Sequence, residues 1–115
     1  METTQAVQAL GALAQETRLG IFRLLVQAGP DGMAAGQIGE KLDLAPATLS
    51  FHLAGLTRAG LAQSRHEGRF VIYSADFQAM NALVGYLSEN CCGVRACAPL
   101  TGDQDEKIPR TRRRA

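Results

Sequence analysis

The sequence lacks several features that would place it in common classes of protein. It has no tryptophan, 5% of its 115 residues are aromatic and 46% are hydrophobic, so aliphatic side chains must form the core. No apolar run approaches the roughly 18 residues of a membrane-spanning helix, and the first ten residues lack the pattern of a signal peptide. We therefore expect a cytoplasmic chain with a single domain, which excludes a multidomain enzyme and a wholly disordered chain.

Charge is also nearly balanced, although it is unevenly distributed. The formal net charge of +1 divides into −1 for residues 1–98 and +2 for residues 99–115. Because the last segment has two prolines, no periodicity and a run of charge, we expect a folded domain over 1–98 and a disordered charged tail over 99–115. The tail arginines are either simply solvated or form a flexible arm that adds DNA affinity without reading sequence.

Apolar side chains recur at helical spacing in five segments. The first helix is predicted over about 5–15 behind Thr3 and Thr4 as candidate caps, and the second, central and buried, over 16–28. A short third helix covers about 34–42. The fourth begins at Pro46, turns Leu49, Leu53 and Leu56 inward and ends at Gly60, and the fifth runs from Asp76 to about Asn90.

After Gly60 the pattern alternates and predicts a two-stranded β-hairpin with Glu67-Gly68 at its turn. A lone hairpin is marginal in water, so either Phe70 and Ile72 or Val71 and Tyr73 must pack on the helices. This order of elements predicts a mainly α (α+β) winged helix-turn-helix, whose apolar first and last helices are available for dimerisation.

The stretch from Gly36 to Tyr73 then carries a more specific pattern. It consists of Leu42 to Leu44 before the turn, Thr48, Ser50, His52-Leu53 and Leu56 in the fourth helix, Arg58-Ala59-Gly60-Leu61 after it, and Arg65, Glu67-Gly68-Arg69 and Tyr73 in the hairpin. With the upstream Leu13-Ala14, Thr17-Arg18-Leu19, Ile21 and Leu24-Leu25, the chain resembles the ArsR/SmtB family of metal-sensing bacterial repressors over about residues 5–90. The resemblance implies a homodimer that binds an inverted-repeat operator in double-stranded DNA.

The fourth helix separates an inward apolar face from polar and small side chains suited to base edges in the major groove. Phe51 stands where such families more often have a polar residue. The side chains predicted to bind DNA are Gln37, Pro46, Ala47, Thr48, Ser50, Phe51, His52, Arg58, Arg65 and Arg69. Two simpler interpretations stay open: His52 is a structural histidine within the motif, and Arg65 and Arg69 are ordinary solvated hairpin residues.

All three cysteines, Cys91, Cys92 and Cys97, follow the last predicted helix. Gly93 allows the chain to turn, and three converging thiolates make a soft trigonal site. Tetrahedral zinc would need a fourth ligand, whereas As(III) and Sb(III) are satisfied by three. The resemblance implies the same ligand set, since one arsenic-sensing subgroup has an adjacent cysteine pair and a third cysteine beyond the C-terminal helix.

The expected function is a repressor that leaves its operator when As(III) or Sb(III) binds. Such release requires tighter binding of the ligand to the DNA-incompetent state. Two alternatives for the thiols remain, namely oxidant sensing and no role at all. A rival from another class is a thiol protein that sequesters metalloids and binds no specific DNA. An enzyme is least expected, because Ser50 and His52 share one helix and no phosphate-binding loop occurs.

Overall fold

The computed structural model describes residues 1–93, which form five helices around a small antiparallel sheet. The helices are α1 (Thr3–Leu13), α2 (Glu16–Ala28), α3 (Ala35–Leu42), α4 (Pro46–Arg58) and α5 (Phe77–Leu87), and the strands are β1 (Met33–Ala34), β2 (Ala62–Glu67) and β3 (Phe70–Ala75). The predicted α+β winged helix-turn-helix is confirmed. Cys97 and the predicted tail lie outside the described residues.

The core forms where α2 meets the helix-turn-helix. Ile21 and Leu25 of α2 are completely buried, as is Ile38 of α3. The predicted inward side chains of α4, Leu49, Leu53 and Leu56, are also buried, so both that face and the central position of α2 are confirmed. Because these side chains are aliphatic, the shortage of aromatic residues does not prevent a closed core.

The sheet contains one strand more than the sequence predicts. β3 lies in the middle, antiparallel to both β2 and β1. β1 consists of two residues that pair Met33 with Tyr73 and Ala34 with Ile72. It joins α3 directly at Ala35, so the sheet is continuous with the first helix of the DNA-binding motif.

The turn of the wing, formed by β2 and β3, lies one residue later than predicted. Glu67 pairs with Phe70, which leaves Gly68 and Arg69 as the two turn residues. Gly68 has a φ of 62°, a conformation that a tight hairpin requires at its first central position. Of the two predicted packing pairs, Tyr73 packs against the core, whereas Phe70 is 63% exposed.

Helices α1 and α5 pack against each other at the outside of the helix-turn-helix. The Thr3 hydroxyl lies 2.6 Å from the Tyr86 hydroxyl. Both predicted caps, Thr3 and Thr4, lie inside α1, so that prediction is wrong. The N-cap is Glu2, whose backbone N–H donates to Gln5 Oε1 at 2.8 Å. Within residues 1–93, no helix has the length and apolarity needed to cross a membrane.

Candidate nucleic-acid interface and thiol site

The outer face of α4 is the centre of the candidate nucleic-acid interface. Pro46 occupies the first turn, where its missing N–H costs no hydrogen bond. The other side chains predicted to face DNA at this end of the helix, Ala47, Thr48, Ser50 and Phe51, are exposed. Phe51 is 65% exposed.

His52 differs from the other predicted DNA-binding residues because its side chain is buried. It is 9% exposed, and its Nδ1 lies 3.3 Å from a terminal nitrogen of Arg18. The Phe51 ring lies edge-on to the imidazole, with 5.3 Å between the ring centroids. This placement favours the structural interpretation of His52, with its contacts inside the motif rather than on a base.

Arg18 was absent from the predicted interface. It stands in α2 among apolar residues that form the core, and its spacing gives no sign that it reaches α4. Its Nε donates to the carbonyl oxygen of Ala12 at 2.7 Å, while the same guanidinium contacts His52. The partly buried charge is thus placed between the end of α1 and the middle of α4.

Gln37 lies exposed in the first turn of α3. Its Oε1 accepts a hydrogen bond from the backbone N–H of Ala34 at 3.3 Å, so the side chain closes the start of its own helix. The amide nitrogen of Gln37 takes no part in this bond and can still donate to DNA.

The wing arginines have different surroundings. Arg65 donates to Glu67 Oε2 and to the carbonyl oxygen of Asp31, both at 2.8 Å, so it ties the wing to the loop that follows α2. Arg69 lies exposed in the turn itself, where the tip of a wing can reach a phosphate or the minor groove. Arg65 therefore supports the wing, and Arg69 is better placed for DNA.

Arg58 is separated from the other predicted contacts. It ends α4, a 13-residue helix and thus about 18 Å from Pro46 along the axis. There it lines two shallow clefts with Gln8 of α1, one of which also includes Gln78 of α5. The fold thus brings together the start of α4 with its exposed side chains, but directs Arg58 toward α1 and α5.

The thiol segment, the described cysteines Cys91 and Cys92 with Gly93, begins four residues after the end of α5 at Leu87. Cys91 is exposed and carries a free thiol, and Cys92 is disulfide-bonded. Their sulfur atoms lie 3.7 Å apart. Cys92 and Gly93 have φ values of 64° and 72°, so the backbone turns sharply at the predicted position. The third predicted ligand, Cys97, lies outside the described residues, and the part of the chain that is described contains no group of three metal-binding side chains.

Comparisons with known proteins agree with this architecture. A family model described as a helix-turn-helix domain matches residues 13–65. The transcriptional activator HlyU of Vibrio cholerae is 32% identical over 90 residues, which cover 78% of this chain and 81% of HlyU. A solved structure of reduced HlyU has a TM-score of 0.61 at 31% identity and covers 78% of this chain and 92% of its own.

Two further relatives add more specific descriptions. A candidate arsenical resistance operon repressor of Halobacterium salinarum is 35% identical over 78 residues, which cover 68% of this chain and 60% of that protein. The homodimeric winged helix-turn-helix domain of a candidate ArsR-family regulator from Mycobacterium bovis has a TM-score of 0.60 at 29% identity. Its match covers 76% of this chain and 81% of that one.

Proposed function

The chain belongs to the ArsR family of helix-turn-helix transcriptional regulators, and from this membership we propose a specific function for it. It is a homodimeric repressor that binds an inverted-repeat operator and leaves it when As(III) or Sb(III) binds Cys91, Cys92 and Cys97. The observation that carries the proposal is the pair of adjacent sulfur atoms, 3.7 Å apart and directly after α5.

The outer face of α4 supports DNA binding by this chain. A helix that enters the major groove needs short or polar side chains near its start, together with a buried opposite face. Thr48 and Ser50 supply hydroxyl groups, Ala47 supplies a methyl group, and Leu49 and Leu53 hold the helix on the core.

Exposed apolar side chains on α1 and α5 support the homodimer. Val7 and Leu10 lie three residues apart on α1, and Val84 and Leu87 three residues apart on α5; all four are at least 42% exposed. Apolar surface on two adjoining helices favours association with a second copy. The relative from Mycobacterium bovis is a homodimer, which agrees with this arrangement.

The donor chemistry supports a soft trivalent ion in the reduced protein. The Cys91 and Cys92 sulfur atoms lie 3.7 Å apart, near enough for both thiolates of the reduced protein to bind one ion. Three thiolates without nitrogen or oxygen ligands suit a thiophilic ion. The Halobacterium salinarum relative is described as a candidate arsenical resistance operon repressor, and that description agrees with As(III) as the ligand.

Release follows if the ligand favours a state that does not fit the operator. The thiol segment continues α5, and α5 packs on α1, which in turn packs on α4. A change in the end of α5 can therefore alter how the two α4 helices of the dimer are presented. A coupling of about 1–3 kcal/mol changes operator affinity by roughly 5–150-fold.

The test uses the full chain and a DNA duplex that the purified protein selects from a random-sequence pool. Fluorescence anisotropy follows this complex during titration with arsenite, antimonite and zinc under a non-thiol reductant. We expect arsenite and antimonite to release the duplex and zinc to leave it bound. Cys91→Ser, Cys92→Ser and Cys97→Ser should each abolish release, whereas Ser88→Ala, a control between α5 and the thiol segment, should keep it.

Two results would overturn the proposal at different points. If the protein selects no duplex, the proposal that it binds DNA is wrong. If it binds a duplex that arsenite does not release, only the proposal of metalloid sensing is wrong.

A second candidate function is a thiol-based redox regulator, which the disulfide at Cys92 favours. A solved HlyU relative is described as reduced. Here oxidation of the thiols, rather than metalloid binding, would release DNA. The same anisotropy assay separates the two: release by diamide that dithiothreitol reverses, with no response to arsenite, would support this candidate.

A further inference from the structure

The hydrogen bonds of Arg18 connect three helices, α1, α2 and α4. Its backbone N–H is held by Gln15 Oε1 at 2.8 Å at the start of α2. Its Nε donates to Ala12 at the end of α1 at 2.7 Å, and a terminal nitrogen lies 3.3 Å from His52 Nδ1 in α4. The side chain thus spans from α1 to α4.

Gly55 gives this side chain its room. A Cβ at position 55 would lie 3.4 Å from Cδ of Arg18, so the arginine stem passes directly over the helix surface one turn after His52. The apolar stem of Arg18 therefore covers the surface of α4 at Gly55 while its guanidinium makes the hydrogen bonds.

The chemistry of the two groups fixes their roles. A guanidinium has only donors and keeps its charge, so in this hydrogen bond Arg18 donates and His52 Nδ1 accepts. A planar group bound at two points on different helices allows little rotation of either helix. Because His52 follows Phe51 and lies one turn beyond Thr48, the contact controls which residues of α4 face outward.

We propose that Arg18 is a positioning residue for DNA binding, which holds α4 at a fixed rotation relative to α1. The proposal rests on the proposed function, because α1 belongs to the face where the dimer forms. Through this link, the dimer presents its two α4 helices at the spacing and angle that an operator requires. Arg18 itself makes no contact with DNA.

The experiment measures the affinity of the full chain for its selected duplex as a function of salt concentration. Arg18→Met keeps the length of the stem and removes the donors. We expect a loss of about tenfold or more in affinity, as for other hydrogen bonds to charged groups, with no change in the slope of log K against log salt. A phosphate contact would instead lower that slope by about 0.9. Arg23→Met is the matched control, since Arg23 is exposed on the same helix, and should bind as the wild type does.

A double-mutant cycle tests whether Arg18 acts through His52. His52→Asn should weaken DNA binding as Arg18→Met does. The affinity of the double variant should equal that of the single variant that binds less tightly. Additive losses, an unchanged affinity of Arg18→Met, or a reduced salt slope would each overturn the proposal.

Folding is checked by circular dichroism and oligomeric state for every variant. If Arg18→Met does not fold, Arg18→Lys replaces it, because a lysine keeps the charge but cannot hold both partners with a planar fork. If Arg18→Lys folds and binds the duplex with wild-type affinity, the proposal is also overturned. If the wild-type chain selects no duplex, the proposed function fails rather than the role of Arg18.

Discussion

Gly32 allows two backbone segments to meet at the beginning of the sheet. Its φ is 75°, and a Cβ there would lie 3.0 Å from Cγ2 of Ile72 and even closer to the carbonyl oxygen of Tyr73. We expect Gly32→Ala to lower the free energy of unfolding by about 1–3 kcal/mol, because strain in φ and a backbone clash act together.

Urea unfolding measures this loss, and Gly36→Ala is its control. Position 36 lies within α3 with open space around it, so alanine there should keep or raise stability by up to about 1 kcal/mol. Equal midpoints for Gly32→Ala and the wild type would contradict the close approach of β1 and β3.

Phe51 is an exposed aromatic side chain without a role in the core. We expect Phe51→Ala to leave the melting temperature almost unchanged but to weaken operator binding by about tenfold or more, since burying a phenylalanine side chain, here against a thymine methyl group, contributes about 1.5–3 kcal/mol. Replacing thymines of the selected duplex by uracil removes those methyl groups one at a time. At the thymine that Phe51 contacts, uracil should lower the DNA affinity of the wild type but not that of Phe51→Ala. An equal loss of affinity in both proteins would show that Phe51 does not contact a methyl group.

At the scale of elements, α5 depends on its N-cap residue, Asp76. The Asp76 carboxylate accepts from the backbone N–H of Ala79 at 3.0 Å, which satisfies one of the unpaired donors at the helix start. Asp76→Ala should destabilise the protein by about 1 kcal/mol and Asp76→Asn by much less. Thermal unfolding compares the two, and equal losses would point to the charge rather than to the cap.

Elements could be predicted from the sequence where a long apolar pattern specified them. The buried face of α2 and the inward leucines of α4 follow from helical spacing, because burial on one side requires it. β1 has two residues and therefore no period to recognise. The turn shifted from Glu67-Gly68 to Gly68-Arg69 because strand pairing, which depends on both partners, decides register.

The candidate site could be predicted only where its residues are close in sequence. Ala47, Thr48, Ser50 and Phe51 lie close together in one helix, and the adjacent cysteines need no folding to be neighbours. The bridge from Arg18 to His52 joins residues 34 positions apart, and an arginine in an apolar helix carries no sign of its partner. Burial of His52 likewise depends on how α2 and α4 pack.

At the scale of the whole molecule, the exposed apolar side chains of α1 and α5 should govern assembly. We expect the double variant Val7→Glu, Leu87→Glu to be monomeric, because dimerisation would bury carboxylates, and to bind the operator far more weakly. Light scattering after size exclusion gives the mass. Phe70→Glu, at an equally exposed apolar position on the wing, should remain dimeric, and a dimeric double variant would place the interface elsewhere.

The position of the cysteine pair also bears on how such regulators can be redesigned. α5 ends at Leu87 with Ser88 as its cap, and Cys91, Cys92 and Gly93 are exposed beyond it, so no part of the hydrophobic core depends on them. Under the proposed function, the sensing segment can therefore be exchanged as a cassette, with a different set of donor atoms, while the outer face of α4 stays the same. One scaffold could in this way report different toxic ions through a single reporter gene.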